Sequence, residues 1–175
     1  MTIYMVRHGE TDKNLLGLIQ GQTESKLTKK GIEEAKKIKE LVSSLDIDVV
    51  ISSPLSRALD TAHLITDKDV IVDERLLERN YGLSEGKEPN EDFTKKYWDF
   101  KLNTNMNEVE PVKHLLSRVS DFVEDMRNKY PDKKILVVSH SGVLRALHYV
   151  LNGIPEDGDL LKIEIPNLRL IEYDI

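Results

Sequence analysis

Cysteine does not occur anywhere in the 175 residues. A disulfide framework, a thiolate zinc or iron–sulfur site and a cysteine nucleophile are therefore excluded, and the absence agrees with a reducing compartment. Long apolar runs are missing too. No stretch approaches the ~18 residues that suggest a transmembrane helix. The opening run Ile3 to Val6 stops at Arg7-His8 and has no basic region before it, so it does not read as a signal peptide. The expectation is a soluble, cytoplasmic chain. Aromatic residues make up only 6%, and 25 basic residues face 31 acidic ones, for a net charge of −6. Such a chain is a poor non-specific binder of nucleic acid or anionic membrane, and neither is expected as a partner. A small anion remains possible, because it senses only the local field. Repeats, low-complexity tracts and linkers are also lacking, which leaves one domain over residues 1–175.

What is present has the rhythm of an α/β protein. Ile3-Tyr4-Met5-Val6 reads as a short buried strand. The polar stretch from Gly9 to Lys26 is long for a structureless connection, and such loops tend to be functional. Thr28 is placed to cap a helix whose inner face carries Ile32, Ala35, Ile38, Leu41, Val42 and Leu45. A second strand, Val49 to Ile51, runs into Ser53 as N-cap and Pro54 as first helical residue. The third strand is Val70 to Val72. Strand, helix, strand, helix, strand predicts a parallel sheet.

Residues 73–110 are less regular. Gly82, Gly86 and Pro89 break them, and Phe93, Tyr97, Trp98, Phe100 and Leu102 predict a side helix or lid packed on the core rather than a base-stacking platform. Leu115 to Met126 follow with helical spacing, Ile135 to Val138 form the clearest strand, and Val143 to Leu151 a buried helix. The alternating runs Leu161–Ile165 and Leu168–Tyr173, around Pro166-Asn167, predict an antiparallel pair at the sheet edge. The fold class is α/β, a three-layer αβα arrangement with a mostly parallel central sheet and an antiparallel edge.

In an open parallel sheet, ligands bind beyond the carboxyl ends of the strands. Arg7, His8, Gly9, Glu10 and Thr11 follow the first strand; Ser52, Ser53 and Arg57 follow the second; Ser139, His140, Ser141 and Arg145 follow the strand at 135–138. Two histidines and at least two arginines thus converge on one rim. Like charges crowd together at a cost unless an anion neutralises them, and a phosphate dianion suits forked arginine donors and helix N-termini. His63, His114 and His148 sit inside helical patterns and read as packing or surface residues. Asp46-Ile47-Asp48 could suggest an aspartate nucleophile, but it precedes its strand and so lies at the opposite end of the sheet.

Arg7-His8-Gly9-Glu10-Thr11 resembles the signature of the histidine phosphatase superfamily, also called the phosphoglycerate mutase-like family. Asn14, the stretch from Gly21 to Gly31, Ser52-Ser53-Pro54-Leu55-Ser56-Arg57-Ala58 with Thr61-Ala62, the block Glu78, Gly82, Glu85 and Gly86, and Ser139-His140-Ser141-Gly142 with Leu144-Arg145-Ala146 match further blocks in order. Any one block is weak, whereas five in sequence are strong.

The resemblance implies a metal-independent phosphomonoesterase with no cofactor, acting on a small phosphorylated metabolite as a monomer or homodimer. His8 would attack phosphorus, Glu78 would protonate the leaving oxygen, and His140 would join Arg7, Arg57, Asn14 and Ser141 around the phosphoryl group. Thr11, Gln20, Gly21, Arg79 and Tyr81 would line the rest of the pocket, with residues 83–110 covering it. Ser84 stands where many relatives carry Trp, Glu24 where Asp is common, and Ser141 where phosphatases often have a second Gly. Glu78-Arg79-Asn80-Tyr81-Gly82 resembles the mutase form of the acidic block, in which Arg and Tyr help hold a sugar-acid phosphate. The alternatives are a phosphoglycerate mutase and a non-catalytic phospho-ligand module. Against the mutase stand the short chain, no adjacent Arg pair in the middle region and no basic C-terminal tail; against the module stands the presence of His8, Arg57 and Glu78 together.

Overall fold

The apolar runs pair into one five-stranded sheet in a computed structural model that describes all 175 residues. The strands are β1 (Thr2–Arg7), β2 (Val49–Ser52), β3 (Val70–Val72), β4 (Lys134–Ser139) and β5 (Leu170–Asp174), in the order β3-β2-β4-β1-β5. The first four are mutually parallel and β5 runs antiparallel to β1. The helices are α1 (Asp12–Leu15), α2 (Lys29–Ser44), α3 (Ser56–Ile65), α4 (Glu91–Tyr97), α5 (Val112–Lys129) and α6 (Ser141–Asn152).

Alternation along the strands sorts the core into two faces. Ile3, Met5, Ile51, Ile135 and Val137 point to one side and pack with Leu115, Val119 and Phe122 of α5 and Val143 and Leu147 of α6. Tyr4, Val6, Val50, Leu136 and Val138 point to the other and meet Ala35 and Val42 of α2 and Ala58, Ala62 and Ile65 of α3. Three layers result because each face of a parallel sheet must be covered. Each fully buried Ile or Leu in them contributes about 1.5–3 kcal/mol relative to exposure.

Register delivers the chain to the site. In β1 and β4, Arg7 lies opposite Ser139; in β2 and β4, Ser52 lies opposite Val138. The ladder continues one step further, with His8 N–H donating to Ser139 O and Ser53 N–H to Val138 O. His8, Ser53 and His140 therefore leave the sheet side by side. Asp48 sits at the other end, where its N–H donates to Lys134 O at the start of β4.

Thr28 caps α2 as expected, its hydroxyl accepting from Gly31 N–H at 3.0 Å. Three local expectations change. Leu41 of α2 is exposed rather than inward. Helix α3 starts at Ser56, with Leu55 as its N-cap and no side-chain cap; the Ser53 hydroxyl is taken by His140 Nε2 at 2.7 Å. Leu161–Ile165 is not a strand, so the expected pair does not form, and β5 pairs with β1 instead. The carbonyls of 163 and 165 face arginines rather than a ladder: Ile163 O accepts from Arg145 and Ile165 O from Arg7.

Candidate active site

At the carboxyl ends of β1, β4 and β2 lies a cavity of about 190 Å³, lined by Arg7, His8, Asn14, Leu18, Ile19, Gln20, Arg57, Glu78, Tyr81, Pro89, Thr94, Tyr97, Trp98 and Ser141. His8, the first residue beyond β1, is buried. Its Nδ1 lies 2.8 Å from Gly9 O. A carbonyl can only accept, so Nδ1 carries the proton and Nε2 keeps its lone pair. Burial holds the His8 pKa well below the ordinary imidazole value, and the nearby Arg7 and Arg57 charges push it the same way. The ring is thus neutral at physiological pH.

Both arginines are anchored by backbone carbonyls. Arg7 Nη1 donates to Ile165 O at 2.9 Å. Arg57, in the first turn of α3, donates from Nη1 to Thr23 O and from Nη2 to Gly21 O. The Nε of each is buried without a partner, as is Nδ1 of His140. These groups are poised for an acceptor the protein does not itself supply. Burial lowers both arginine pKa values, with Glu78 opposing. The two guanidiniums give the floor its positive charge.

Glu78 is buried at the cavity edge, its oxygens accepting from Arg79 N–H at 2.7 Å and from Gly142 N–H at 3.1 Å. Gly142 is required here, because a Cβ would overlap the Glu78 carboxylate. The side chain thereby sits at the N-terminus of α6.

The structure divides the sequence-predicted residues. Arg7, His8, Asn14, Gln20, Arg57, Glu78, Tyr81 and Ser141 line the cavity; His140, Thr11, Gly21 and Arg79 do not. His140 is buried beside His8, the two ring centroids 5.2 Å apart. Burial, His8 and Arg57 lower its pKa well below the usual value. Thr11 caps α1 and hydrogen-bonds to Asn14 and Gln20, so it positions two lining amides from behind. Gly21 contributes its carbonyl to Arg57, and a Cβ there would strike Glu85.

Arg79 is the clearest correction. It is fully buried, donates to Glu110 O and Tyr97 O, and lies 4.7 Å from the Trp98 ring centroid. Two of its donors are thus held by main-chain carbonyls beside the aromatic wall, while its Nη2 is buried without a partner. Arg145 stacks on the same indole, also at 4.7 Å. Tyr81 keeps its phenolic proton, since burial and Glu78 push its pKa up.

Sequence reasoning did not single out Leu18, Ile19, Pro89 or Thr94 as pocket residues. Tyr97 and Trp98 appeared only as part of an aromatic patch. No cluster of three or more His, Asp or Glu suited to a metal is present, and no helix is long and apolar enough to cross a membrane.

A three-layer α/β fold with a mostly parallel sheet, whose strand ends bring together a neutral histidine, two arginines and Glu78, is of the phosphoglycerate mutase-like type. The profile of the histidine phosphatase superfamily (branch 1) matches residues 3–175, and the chain belongs to that superfamily. Among relatives, a metal-independent phosphoserine phosphatase of Arabidopsis thaliana is 35% identical over 180 residues, covering 96% of this chain and 76% of the relative. A probable phosphoglycerate mutase of Escherichia coli is 33% identical over 164 residues, covering 89% and 76%. The crystal structure of the α-ribazole phosphatase from Shigella flexneri superposes with a TM-score of 0.83 at 27% identity, covering 100% of this chain and 91% of the other.

Proposed function

We propose that this protein is a metal-independent phosphomonoester hydrolase that works through a phosphohistidine on His8. One observation carries the reading: His8 is neutral and its Nδ1 proton is committed to Gly9 O, so the Nε2 lone pair is available beside two arginines. Nε2 forms a bond to phosphorus as the ester P–O bond breaks, and Glu78 gives its proton to the departing alkoxide. Water then attacks the phosphohistidine, Glu78 takes its proton, the P–N bond breaks, and inorganic phosphate leaves with His8 neutral again. Arg7 and Arg57, aided by Asn14 and Ser141, neutralise the transferring group. That is the charge stabilisation a metal supplies in other phosphoryl-transfer sites. His140, beside His8, offers its unpartnered Nδ1 to the same transferring group.

The rest of the cavity favours an uncharged alcohol portion. Beyond Arg7, His8, Arg57 and Glu78 every lining side chain is neutral, and residues 83–110 supply Pro89, Thr94, Tyr97 and Trp98 as a cover.

The test is rapid-quench trapping with a ³²P-labelled aryl phosphate. Acid-labile label is expected on the wild-type protein and none on His8→Ala, with turnover in excess EDTA unimpaired. Full turnover by His8→Ala would sink the mechanism.

A further inference from the structure

The peptide unit between His8 and Gly9 is gripped at both ends by residues far away in sequence. On one side Asn167 Nδ2 donates to His8 O at 2.6 Å. On the other, Gly9 N–H donates to Thr61 Oγ1 at 3.0 Å. Thr61 is fully buried on α3 and passes its own proton to Arg57 O at 2.7 Å. Asn167 belongs to the loop before β5, which holds β1 by two more bonds, Arg7 Nη1 to Ile165 O and Leu168 N–H to Arg7 O. Leu168 adopts φ 58°, an unusual conformation for a residue with a side chain. The loop keeps that strain while retaining its grip on the signature.

The need for such a grip follows from Gly9. A Cβ at position 9 would come within 3.0 Å of Gly31 O, so close packing against α2 calls for glycine. Glycine, however, is the residue with the widest choice of backbone angles. Its carbonyl is the group that accepts the Nδ1 proton of His8 and leaves Nε2 free. An unrestrained Gly9 would let that carbonyl swing, and with it the tautomer of the nucleophile.

We infer that Thr61 and Asn167 are positioning residues for the nucleophile: together they fix the plane of the His8–Gly9 peptide and hold the Gly9 carbonyl where it sets the His8 tautomer. This rests on the phosphohistidine reading for its catalytic consequence, although the tautomer itself can be observed without turnover. Neither residue lines the cavity, and the one contact toward it, Asn167 Nδ2 to Asn14 Oδ1, is long at 3.5 Å, so binding should largely survive where chemistry fails.

The experiment pairs kinetics on an aryl phosphate with ¹⁵N NMR of the His8 imidazole and titration with inorganic phosphate. Thr61→Val is expected to lower kcat ~10–100-fold, and Asn167→Ala ~5–30-fold, as small misplacements of reacting groups do. KM and the Kd for phosphate should stay within about threefold, the signature of an interaction used in the chemical step. Thr61→Ser, which keeps the hydroxyl, should recover kcat to within about threefold of wild type. The wild-type ring should be the Nδ1–H tautomer alone, with Nε2–H appearing in both impaired variants. Variants that retain kcat and the single tautomer would overturn the inference. So would losses of phosphate affinity and melting temperature in step with kcat, without rescue by serine. If Thr61→Val does not fold, Asn167→Ala decides alone, since it leaves Arg57 untouched. A wild-type chain that hydrolyses nothing refutes the phosphatase reading but still lets the ¹⁵N spectra test the clamp.

Discussion

The floor of the cavity and its outer wall are held by different means. On the floor, Arg7, His8 and Arg57 are tied to main-chain carbonyls: Ile165, Gly9, and Gly21 with Thr23. Those carbonyls belong to loops: Gly9 follows β1, Gly21 and Thr23 lie between α1 and α2, and Ile165 precedes β5. The wall is held by side chains. Trp98 sits under two guanidiniums, Arg79 and Arg145, and the Tyr97 hydroxyl bonds to Ser84 Oγ at 2.6 Å and Asn107 Nδ2 at 2.8 Å. Main-chain anchoring resists substitution and repeats one geometry; side-chain anchoring can be exchanged piece by piece. The difference assigns chemistry to the floor and choice of alcohol to the wall. It also predicts that floor variants act on kcat while wall variants act on KM.

The largest effect belongs to Glu78, the one floor residue whose work depends on the alcohol. Glu78→Gln keeps the size and, through its single amide oxygen, one of the two backbone bonds, but it cannot give up a proton. For an alkyl phosphate kcat should fall ~10²–10⁴-fold, the range of general acid catalysis. For p-nitrophenyl phosphate, whose leaving group needs little protonation, the loss should be far smaller. Steady-state rates on the two esters check this, and equal losses would remove Glu78 from the acid role.

How much of this was legible in the sequence follows the same division. The floor could be read because strand ends are marked by apolar runs that stop abruptly, and parallel strands must deliver their next residues to one rim. Arg7-His8, Ser53 with Arg57, and Glu78 followed from that logic and from the ordered motifs. Arg79 shows the limit of a motif, which states which residue is present and not where its side chain turns; here the Glu110 and Tyr97 carbonyls hold two of its donors outside the cavity lining. The run Leu161–Ile165 alternates like a strand, yet its carbonyls at 163 and 165 are spent on Arg145 and Arg7. Nothing local could signal that, because the arginines lie far away in sequence. The role of Asn167 was hidden for the same reason, and Thr61 appeared only as part of a motif block with no role attached.

A smaller effect should appear in stability against pH. His8 and His140 are neutral in the folded chain, with pKa values well below the usual one, and unfolded they titrate near ~6.5. Above that value neither state binds the proton and the folded state keeps its full stability. As pH falls below it, the unfolded chain gains protons that the native chain refuses. Stability then drops by up to about 1.4 kcal/mol per pH unit for each histidine. His148, lowered by partial burial, adds the same sign. Urea midpoints should therefore be lower at pH 5.5 than at pH 7.5, and the decline should be shallower for His8→Ala. A midpoint that does not move would break the claim that the floor histidines are held neutral.

The smallest effect, and the sharpest separation of the two regions, is expected from Tyr97→Phe. The ring stays and the wall keeps its shape, but Ser84 Oγ and Asn107 Nδ2 lose their shared partner. Ser84 is buried, so an unmet hydroxyl there costs about 1–2 kcal/mol, readable as a lower urea midpoint. Freed of its two bonds, the ring can shift against Thr94 and Trp98, and KM for an aryl phosphate should rise about two- to fivefold. No floor carbonyl moves, so kcat should change less than twofold. If kcat instead falls by an order of magnitude with KM constant, wall and floor are mechanically one unit, and the division of labour between them does not hold.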